Sequence, residues 1–438
     1  MSQVDGEHTV VSTRAPSLAS NDEKIAAAGG VSEKGDAEAQ SHQASKPDFP
    51  EGGLRGWATL LGAFCIQFCG FGYTSSFGVY QDYYVRVYLT RESASAISWI
   101  GSVNAFLVVG SGLLAGHLYD RGHFRLAITL GSVLLVLGLF MLSLAKPDQY
   151  YQVFLSQAIC AGLGAGLIYI PSIAVISHYF HRRRVLAMSI VAAGSSLGSV
   201  IHPIMLNNTL NSSLGFGNSV RASAGLVAGM LLIASLLMKE RLPPPTNTIS
   251  FIPALKKFSK DRAYVLVTLG MSLVTLGFYY PLYYLQLDAS VHDLSRSFSF
   301  YCLVILNFSS LVGRLCSGFA AHNIGAPLTI TFCALCCGAV TLSMIGVKTV
   351  TSVVLVGMFF GFFAGGYIAL NAPILAVLAD NMSEIGARMG VAFTVASFGG
   401  LVGAPISGAL LGDNYTWWKP AVFAGVCHIY TTTAVGWR

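Results

Sequence analysis

The chain has 438 residues, of which 54% are hydrophobic and only 11% are charged, whereas a water-soluble chain carries about 25% charged residues. That composition excludes an ordinary cytosolic enzyme and indicates a membrane protein. The net charge of +6 does not indicate a nucleic-acid partner, because the positive residues lie in short breaks between long apolar runs. We therefore expect a lipid bilayer around the protein and no nucleic acid.

The first 55 residues differ sharply in composition from the rest. They contain 5 Lys or Arg and 9 Asp or Glu, and they hold too little apolar surface to fold by burial. They also lack the apolar region of a signal peptide, so membrane entry depends on the first span. We predict a disordered cytoplasmic tail over 1–55.

Long apolar runs fill the chain from residue 56 onward. A helix of about 20 residues crosses the hydrocarbon core of a bilayer, and twelve runs reach or approach that length, the last of them diluted by His428 and three threonines. We predict an all-α membrane protein with twelve transmembrane helices in two six-helix halves, 56–238 and 263–438, joined by a cytoplasmic linker, 239–262. The predicted spans are 57–80, 95–118, 126–145, 152–177, 185–206, 222–238, 263–286, 298–320, 327–346, 351–376, 386–410 and 419–435.

The distribution of positive charge predicts the orientation. In the first half, the loops after spans 2, 4 and 6 hold eleven Lys or Arg, while the loops after spans 1, 3 and 5 hold four. Cytoplasmic loops carry the excess of positive residues. Both termini are therefore predicted to be cytoplasmic.

The linker contains a short amphipathic pattern. Phe251, Leu255 and Phe258 recur at helical spacing, while Lys256 and Lys257 take another face. This pattern predicts an interfacial helix on the inner leaflet. A plain solvated linker is the alternative.

A charged loop joins spans 2 and 3. Gly116 lets two helices approach, Asp120 at a helix end can pair with a neighbouring helix N-terminus, and Arg121 and Arg125 follow. The alternative is that Arg121 and Arg125 are positive residues of a tight inner turn, as the positive-inside rule predicts. That alternative does not explain the spacing of Gly116 and Asp120. The loop resembles the signature loop of the major facilitator superfamily, which implies a role in conformational gating. A weak repeat, beginning at Gly318, follows span 8 at the equivalent place.

Three further stretches resemble a narrower family. The sequences PEGGLRGW at 50–57, GYTSSFGVY at 72–80 and YFHRRRVLA at 179–187, the last followed by AGSSLG at 193–198, are similar to the fungal branch of the monocarboxylate-transporter family. The opening motif departs from the family pattern by one extra residue before Trp57. The resemblance extends to about residue 411 and implies a secondary transporter of the plasma membrane that works by alternating access.

Arg314 lies within span 8, and we interpret it as the only Lys or Arg clearly interior to a span. A buried guanidinium is costly and survives where it faces a cavity, a partner or an anion. The resemblance implies that this Arg binds the substrate carboxylate, for which its planar fork is suited. The alternative is a side chain that extends toward the inner surface.

The residues around Arg314 depart from the family pattern. Mammalian members have an Asp where this chain has Ser310 and a span-1 Lys where it has Ser75, so both proton-coupling partners are missing. His202, inside span 5, is the remaining titratable candidate for carrying a proton, and packing before Pro203 is an equally good interpretation. We therefore expect facilitated or loosely coupled transport. Other polar or aromatic side chains that could line the substrate site are Asn307, Tyr73 and Asn371.

These observations favour a secondary transporter for a small organic anion, similar to a monocarboxylate. An exporter of a fungal secondary metabolite is the first alternative, and a transporter-like nutrient sensor is the second. No enzyme activity, metal site or cofactor is expected, because the nine cysteines lie in apolar stretches and no nucleotide-binding motif is present. The expected partner is a small anionic molecule, bound by a monomer.

Overall fold

The computed structural model describes residues 51–242, 251–291, 296–347, 349–412 and 416–435. The predicted tail therefore lies outside the described residues, except at its end. Regular structure in these ranges is helical, and eleven helices in them are long and apolar enough to cross a membrane.

Twelve helices follow one another in the order that the hydropathy pattern predicts, and the all-α twelve-span prediction is confirmed. Span 12 is not among those eleven, and His428 and three threonines interrupt its apolar run. Most helix ends lie within a few residues of the predicted ones. The spans are Gly53–Tyr88, Ser95–Asp120, Phe124–Ser143, Tyr150–His178, Arg184–Leu210, Gly215–Leu237, Arg262–Val291, Arg296–Ile324, Ala326–Ser343, Val350–Val377, Ile385–Leu411 and Trp418–Val435.

Span 1 begins earlier than expected, at Gly53, inside the segment predicted to be a disordered tail. Glu51, Gly52 and Gly53 all have positive φ values, which glycine adopts readily. This turn directs the Glu51 carboxylate at the loop between spans 4 and 5, where it accepts hydrogen bonds from the backbone N–H groups of Arg182 (2.7 Å) and Arg183 (3.3 Å). These contacts explain why the ordered structure starts before residue 56.

Two of the stretches that carry the family resemblance contact each other. The Gly52 N–H donates to the Tyr179 carbonyl at 3.1 Å, and the rings of Trp57 and Phe180 meet edge to face with centroids 5.4 Å apart. A Cβ on Gly56 would lie 3.2 Å from Cβ of Tyr179. The two motifs thus form one joint between the start of span 1 and the start of span 5.

The linker contains a helix, Phe251–Phe258, that lies against the protein. Ala254 and Phe258 are buried, whereas Leu255 is 42% exposed. The buried face is therefore made by positions 254 and 258, and Phe258 contacts span 11 rather than presenting a face to lipid.

The loops that join spans 2 to 3, 4 to 5, 6 to 7 and 10 to 11 lie on one side of the molecule, here called the basic face. Contacts between these loops define it: the Tyr179 hydroxyl donates to the Lys239 carbonyl (2.9 Å), and Lys257 contacts Glu384. One apolar core runs through both sets of six spans, from Leu60 to Ala396 in the sequence. A smaller apolar cluster lies within the last six.

Candidate functional site

Arg314 is buried at the junction of spans 5 and 8. Only 5% of its surface is exposed, and its Nη1 donates hydrogen bonds to the Ala192 carbonyl (2.7 Å) and to Ser195 Oγ (2.5 Å). Its Nε–H has no hydrogen-bond partner among the described residues. A buried, charged donor without an acceptor is costly, so this N–H marks a place where a ligand oxygen would be stabilised.

Small polar residues line the whole contact between spans 5 and 8, here called the serine seam. Ser196 Oγ and Ser310 Oγ are 3.1 Å apart, and a Cβ on Gly318 would lie 2.6 Å from Cβ of Ser189. A pair of neutral hydroxyls therefore lies one helical turn from Arg314. The serine seam joins the first six spans to the last six directly beside Arg314.

A pair of aromatic rings lies near Arg314. Tyr169 is near enough to Arg314 for electrostatic interaction, and its ring meets Phe393 of span 11 edge to face at 5.7 Å. Gln67 Nε2 donates to the Tyr169 carbonyl (3.3 Å). Asn371, from span 10, has a buried carbonyl oxygen without a partner among the described residues. Spans 1, 4, 8, 10 and 11 thus contribute polar and aromatic groups to the interior.

Three predicted site residues contact groups other than Arg314. Tyr73 shares a hydrogen bond with Tyr80 (2.6 Å between hydroxyl oxygens) and packs against His202, with ring centroids 5.3 Å apart. Asn307 donates its side-chain amide to the Leu303 carbonyl of its own helix (2.9 Å). Tyr73 and His202 therefore pack together inside the first six spans, and Asn307 lies two turns from Arg314 on span 8.

Span 2 meets span 11 through glycine and a capping carboxylate. Asp120 is 7% exposed and accepts hydrogen bonds from the N–H groups of Gly386 (3.0 Å) and Ala387 (2.6 Å) at the start of span 11. A negative charge is stabilised at a helix N-terminus. A Cβ on Gly116 would lie only 2.1 Å from the Gly386 carbonyl oxygen, so glycine is required for this approach.

The two arginines of the same loop do not take part in that contact. Arg121 and Arg125 are exposed, and Arg125 lies close enough to Glu240 to oppose the rise that burial causes in the pKa of that carboxyl. The structure therefore brings Gly116 and Asp120 into direct contact with span 11, and Arg121 lines a cavity with Ala387 and Val391 of that span.

These contacts all lie on the same side of the molecule. Gly116, Asp120 and the serine seam occupy the parts of spans 2, 5 and 8 that end at the basic face, and Gly116 and Asp120 meet the first turns of span 11. The two sets of six spans are thus held together at the basic face.

A second buried arginine was not predicted from the sequence, and it lies in the first turn of a span rather than in its interior. Arg388, in the first turn of span 11, is 1% exposed. Its Nη1 lies 2.8 Å from Asp261 Oδ2, and its Nε lies 3.7 Å from Glu384 Oε2. It also stacks over the Phe258 ring, 4.9 Å from the centroid. The spacing of four between Glu384 and Arg388 is the signal that the sequence offered.

Lys257 completes this charged cluster from the linker helix. Its Nζ lies 2.7 Å from Glu384 and 3.1 Å from Asp380, and hydrogen bonds to these two carboxylates raise its pKa. Burial alone would raise the pKa of Asp261, but the hydrogen bonds from Arg388 and from the backbone of Tyr264 and Ala263, together with the charge of Arg388, outweigh it, and that pKa is lowered. The contribution of Asp261 to stability is lost as the pH falls below 3.8, the ordinary pKa of an Asp side chain. The contribution of Lys257 is lost as the pH rises above 10.5, the ordinary pKa of a Lys side chain. At neutral pH both contribute.

We expect Lys257→Gln to lower the free energy of unfolding by about 1 kcal/mol, because the side chain is partly exposed but one of its partners is buried. Its neighbour Lys256 is exposed, makes no ion pair with another described residue and provides the matched control, Lys256→Gln. Thermal unfolding of the two variants in the same detergent measures the difference. Equal unfolding temperatures would contradict the role assigned to the Lys257 contacts.

Comparison with known proteins gives a consistent result. The sequence profile of the Major Facilitator Superfamily matches residues 59–404. An aspyridones efflux protein of Emericella nidulans is 37% identical over 87% of this chain and 77% of its own length. A fujikurins efflux protein of Gibberella fujikuroi is 36% identical over 91% and 85%, and an agnestins efflux protein of Paecilomyces divaricatus is 34% identical over 86% and 85%.

Solved structures resemble the fold at low sequence identity. The proton:xylose symporter XylE superposes with a TM-score of 0.70 at 13% identity, over 86% of this chain and 94% of its own. The human organic anion transporter MFSD10 gives a TM-score of 0.68 at 15% identity, over 87% and 98%. At these identities the likeness concerns the fold alone.

Proposed function

The chain belongs to the major facilitator superfamily and is a membrane transporter rather than an enzyme; from that premise we propose that it exports an anionic fungal secondary metabolite. The buried Arg314, whose Nε–H has no partner among the described residues and which lies near the Tyr169–Phe393 ring pair through Tyr169, is the observation that carries the proposal. Arg suits bidentate binding of a carboxylate, and the flanking rings suit a substrate with an unsaturated ring system.

The names of the fungal relatives favour export of such a metabolite over transport of a small monocarboxylate. Membership of the monocarboxylate-transporter-like family remains part of the proposal, supported by the joint between its two motifs. The proposed orientation has the basic face and both termini in the cytoplasm, with the protein acting as a monomer in the plasma membrane.

Alternating access follows from the division that we propose, with halves at 56–238 and 263–438 and a linker at 239–262. Rocking of one half against the other opens the central site to each side in turn. Because the halves meet at the basic face, this arrangement is the one open to the outside. Gly116 and Asp120 form the gate, and Arg121 and Arg125 contribute positive charge at its exposed edge.

The remaining predicted residues receive more limited roles. Asn371 offers a buried acceptor for a substrate hydroxyl or amide, and Asn307 lies on the same face of span 8 as Arg314. Tyr73 and His202 support the interior of the first half. No described Asp or Glu accompanies Arg314 in its recorded contacts, so we propose that any proton moves with the substrate.

The test compares an acid with its neutral counterpart. Inside-out vesicles containing the native chain or Arg314→Ala would be given labelled 1-naphthaleneacetate, 1-naphthaleneacetamide or pyruvate at pH 6 and pH 7.5, with protein-free vesicles to measure leakage. We expect vesicles with the native chain to accumulate the aromatic acid. In Arg314→Ala the rate of that accumulation should fall at least tenfold, the ratio that corresponds to the loss of one hydrogen bond from a charged group.

Each other outcome changes the conclusion. Movement of pyruvate without the aromatic acid would restore the monocarboxylate interpretation. If the folded, inserted protein moves neither acid, or if Arg314→Ala moves the aromatic acid at the native rate, the anion-export proposal is wrong.

A further inference from the structure

The guanidinium of Arg314 is held on one side only. Its Nη1 donates to both the Ala192 carbonyl and Ser195 Oγ. The Ser195 hydroxyl in turn donates to the same Ala192 carbonyl, at 2.9 Å. The hydroxyl proton therefore points at the carbonyl, and a lone pair of Ser195 Oγ is left to accept the Nη1–H. Ser195 is 2% exposed, so water does not compete for this arrangement.

The chemistry of guanidinium decides which edge remains available. Its five N–H donors lie in one plane in a fixed fork, and Nη1 is the nitrogen on the side away from the Nε–H. When Nη1 is held, the planar guanidinium cannot rotate, and the opposite edge, formed by Nε and Nη2, has a fixed direction. That edge presents two parallel N–H bonds, the geometry that a carboxylate accepts. The Nε–H on it is the buried donor of Arg314 that lacks a partner among the described residues.

We propose that Ser195 is a positioning residue for the anion site: by holding Nη1 of Arg314 it turns the Nε–Nη2 edge of the guanidinium toward the substrate. This inference rests on the proposed function and narrows the substrate class to planar anions that take two parallel hydrogen bonds, such as carboxylates. The hydroxyl has no contact with the substrate itself.

The position of Ser195 makes this orientation depend on the conformation of the transporter. Ser195 belongs to span 5 and Arg314 to span 8, so the two are on opposite sides of the serine seam. When the halves separate at the basic face, Nη1 loses both acceptors and the guanidinium is free to turn. The site therefore binds a carboxylate with different geometry in its two conformations.

The neighbouring hydroxyl supplies a matched control. Ser196 lies in the same seam and is also buried, but its Oγ contacts Ser310 instead of Arg314. Ser195→Ala removes the acceptor for Nη1, Ser195→Thr keeps it, and Ser196→Ala removes a seam hydroxyl that does not touch the guanidinium. Ser195→Gly repeats the first change if the alanine variant yields too little folded protein.

The measurement is the ratio of affinities for the acid and the neutral amide. Purified full-length protein in nanodiscs would be titrated with 1-naphthaleneacetate and 1-naphthaleneacetamide, and KM and maximal rate for the acid would be measured in vesicles. We expect Ser195→Ala to raise Kd and KM for the acid about tenfold, the ratio that corresponds to one hydrogen bond with a charged group. The amide affinity, the ratio in Ser195→Thr and the ratio in Ser196→Ala should stay at their native values.

Two failures are distinguishable. If Arg314→Ala weakens binding of the acid while Ser195→Ala and Ser196→Ala share the native acid-to-amide ratio, the positioning role is overturned and the anion site stands. If Arg314→Ala itself leaves that ratio unchanged, the proposed function is the part that fails. Equal loss of acid and amide in Ser195→Ala would also overturn the proposal, because it would show a general packing role.

Discussion

We expect Gly116→Val to lower the transport rate by more than about a hundredfold and to leave the protein folded in the membrane. A side chain at this position meets the backbone carbonyl of Gly386, which a Cβ would approach to 2.1 Å. Backbone at the start of a helix cannot move aside as a flexible side chain does. Spans 2 and 11 then cannot close at the basic face, so the cycle stops in the arrangement that is open there.

The control is Gly225→Val in span 6, where a Cβ would meet nothing within 4 Å. A cysteine pair introduced at His117 and Ser383, which line the same cavity between span 2 and the start of span 11, would report closure: it should form a disulfide in the Gly225→Val background and not in the Gly116→Val background. Gly116→Ala gives a milder version of the same block. Transport by Gly116→Val at the rate of the Gly225→Val control would show that close contact at this point is not needed.

Arg388→Met should lower the free energy of unfolding by about 4 kcal/mol, the typical cost of removing one partner of a buried ion pair. Glu384 is 3% exposed, and without the guanidinium its carboxylate keeps only the partly exposed Lys257. Asp261 loses its hydrogen bond from the same arginine. The linker helix also loses the cation that stacks on Phe258, so its attachment to span 11 weakens.

Chemical unfolding in detergent, followed by far-UV circular dichroism, measures this loss. The double variant Arg388→Met with Glu384→Gln should recover part of the stability, because no buried charge is then left unpaired. Arg121→Met, which removes an exposed arginine on the same face, should change stability by less than about 0.5 kcal/mol. A similar loss in Arg121→Met and Arg388→Met would mean that total charge at the basic face, and not the buried pair, determines stability.

The helical framework could be predicted from local patterns because each span must satisfy its own backbone hydrogen bonds within lipid. Span 11 was expected to begin at residue 386 and begins at Ile385. Arg388 was overlooked because a charged residue near the end of a span is commonly interpreted as a surface residue. Its main partner, Asp261, lies 127 residues away, and no local pattern records such a pairing.

The neighbours of Arg314 were predictable only in part. Its cost in an apolar helix showed that it must face a polar group, but the partner, Ser195, lies 119 residues away on a different span. Ser195 stood in a motif that was quoted for its family resemblance and given no chemical role. The linker helix differed in another way, since the face of Phe258 that was expected to meet lipid instead covers Arg388.

The serine seam has a consequence for how fast the transporter can turn over. When spans 5 and 8 part, the hydroxyls of Ser196 and Ser310 exchange each other for water, at a net cost of about 1 kcal/mol per hydrogen bond. An equivalent joint of leucines would expose apolar surface at about 25 cal/mol per Å², and the activation barrier would rise with every residue added. A contact made of small hydroxyl side chains therefore keeps the activation barrier for separating spans 5 and 8 low, so the protein can turn over quickly.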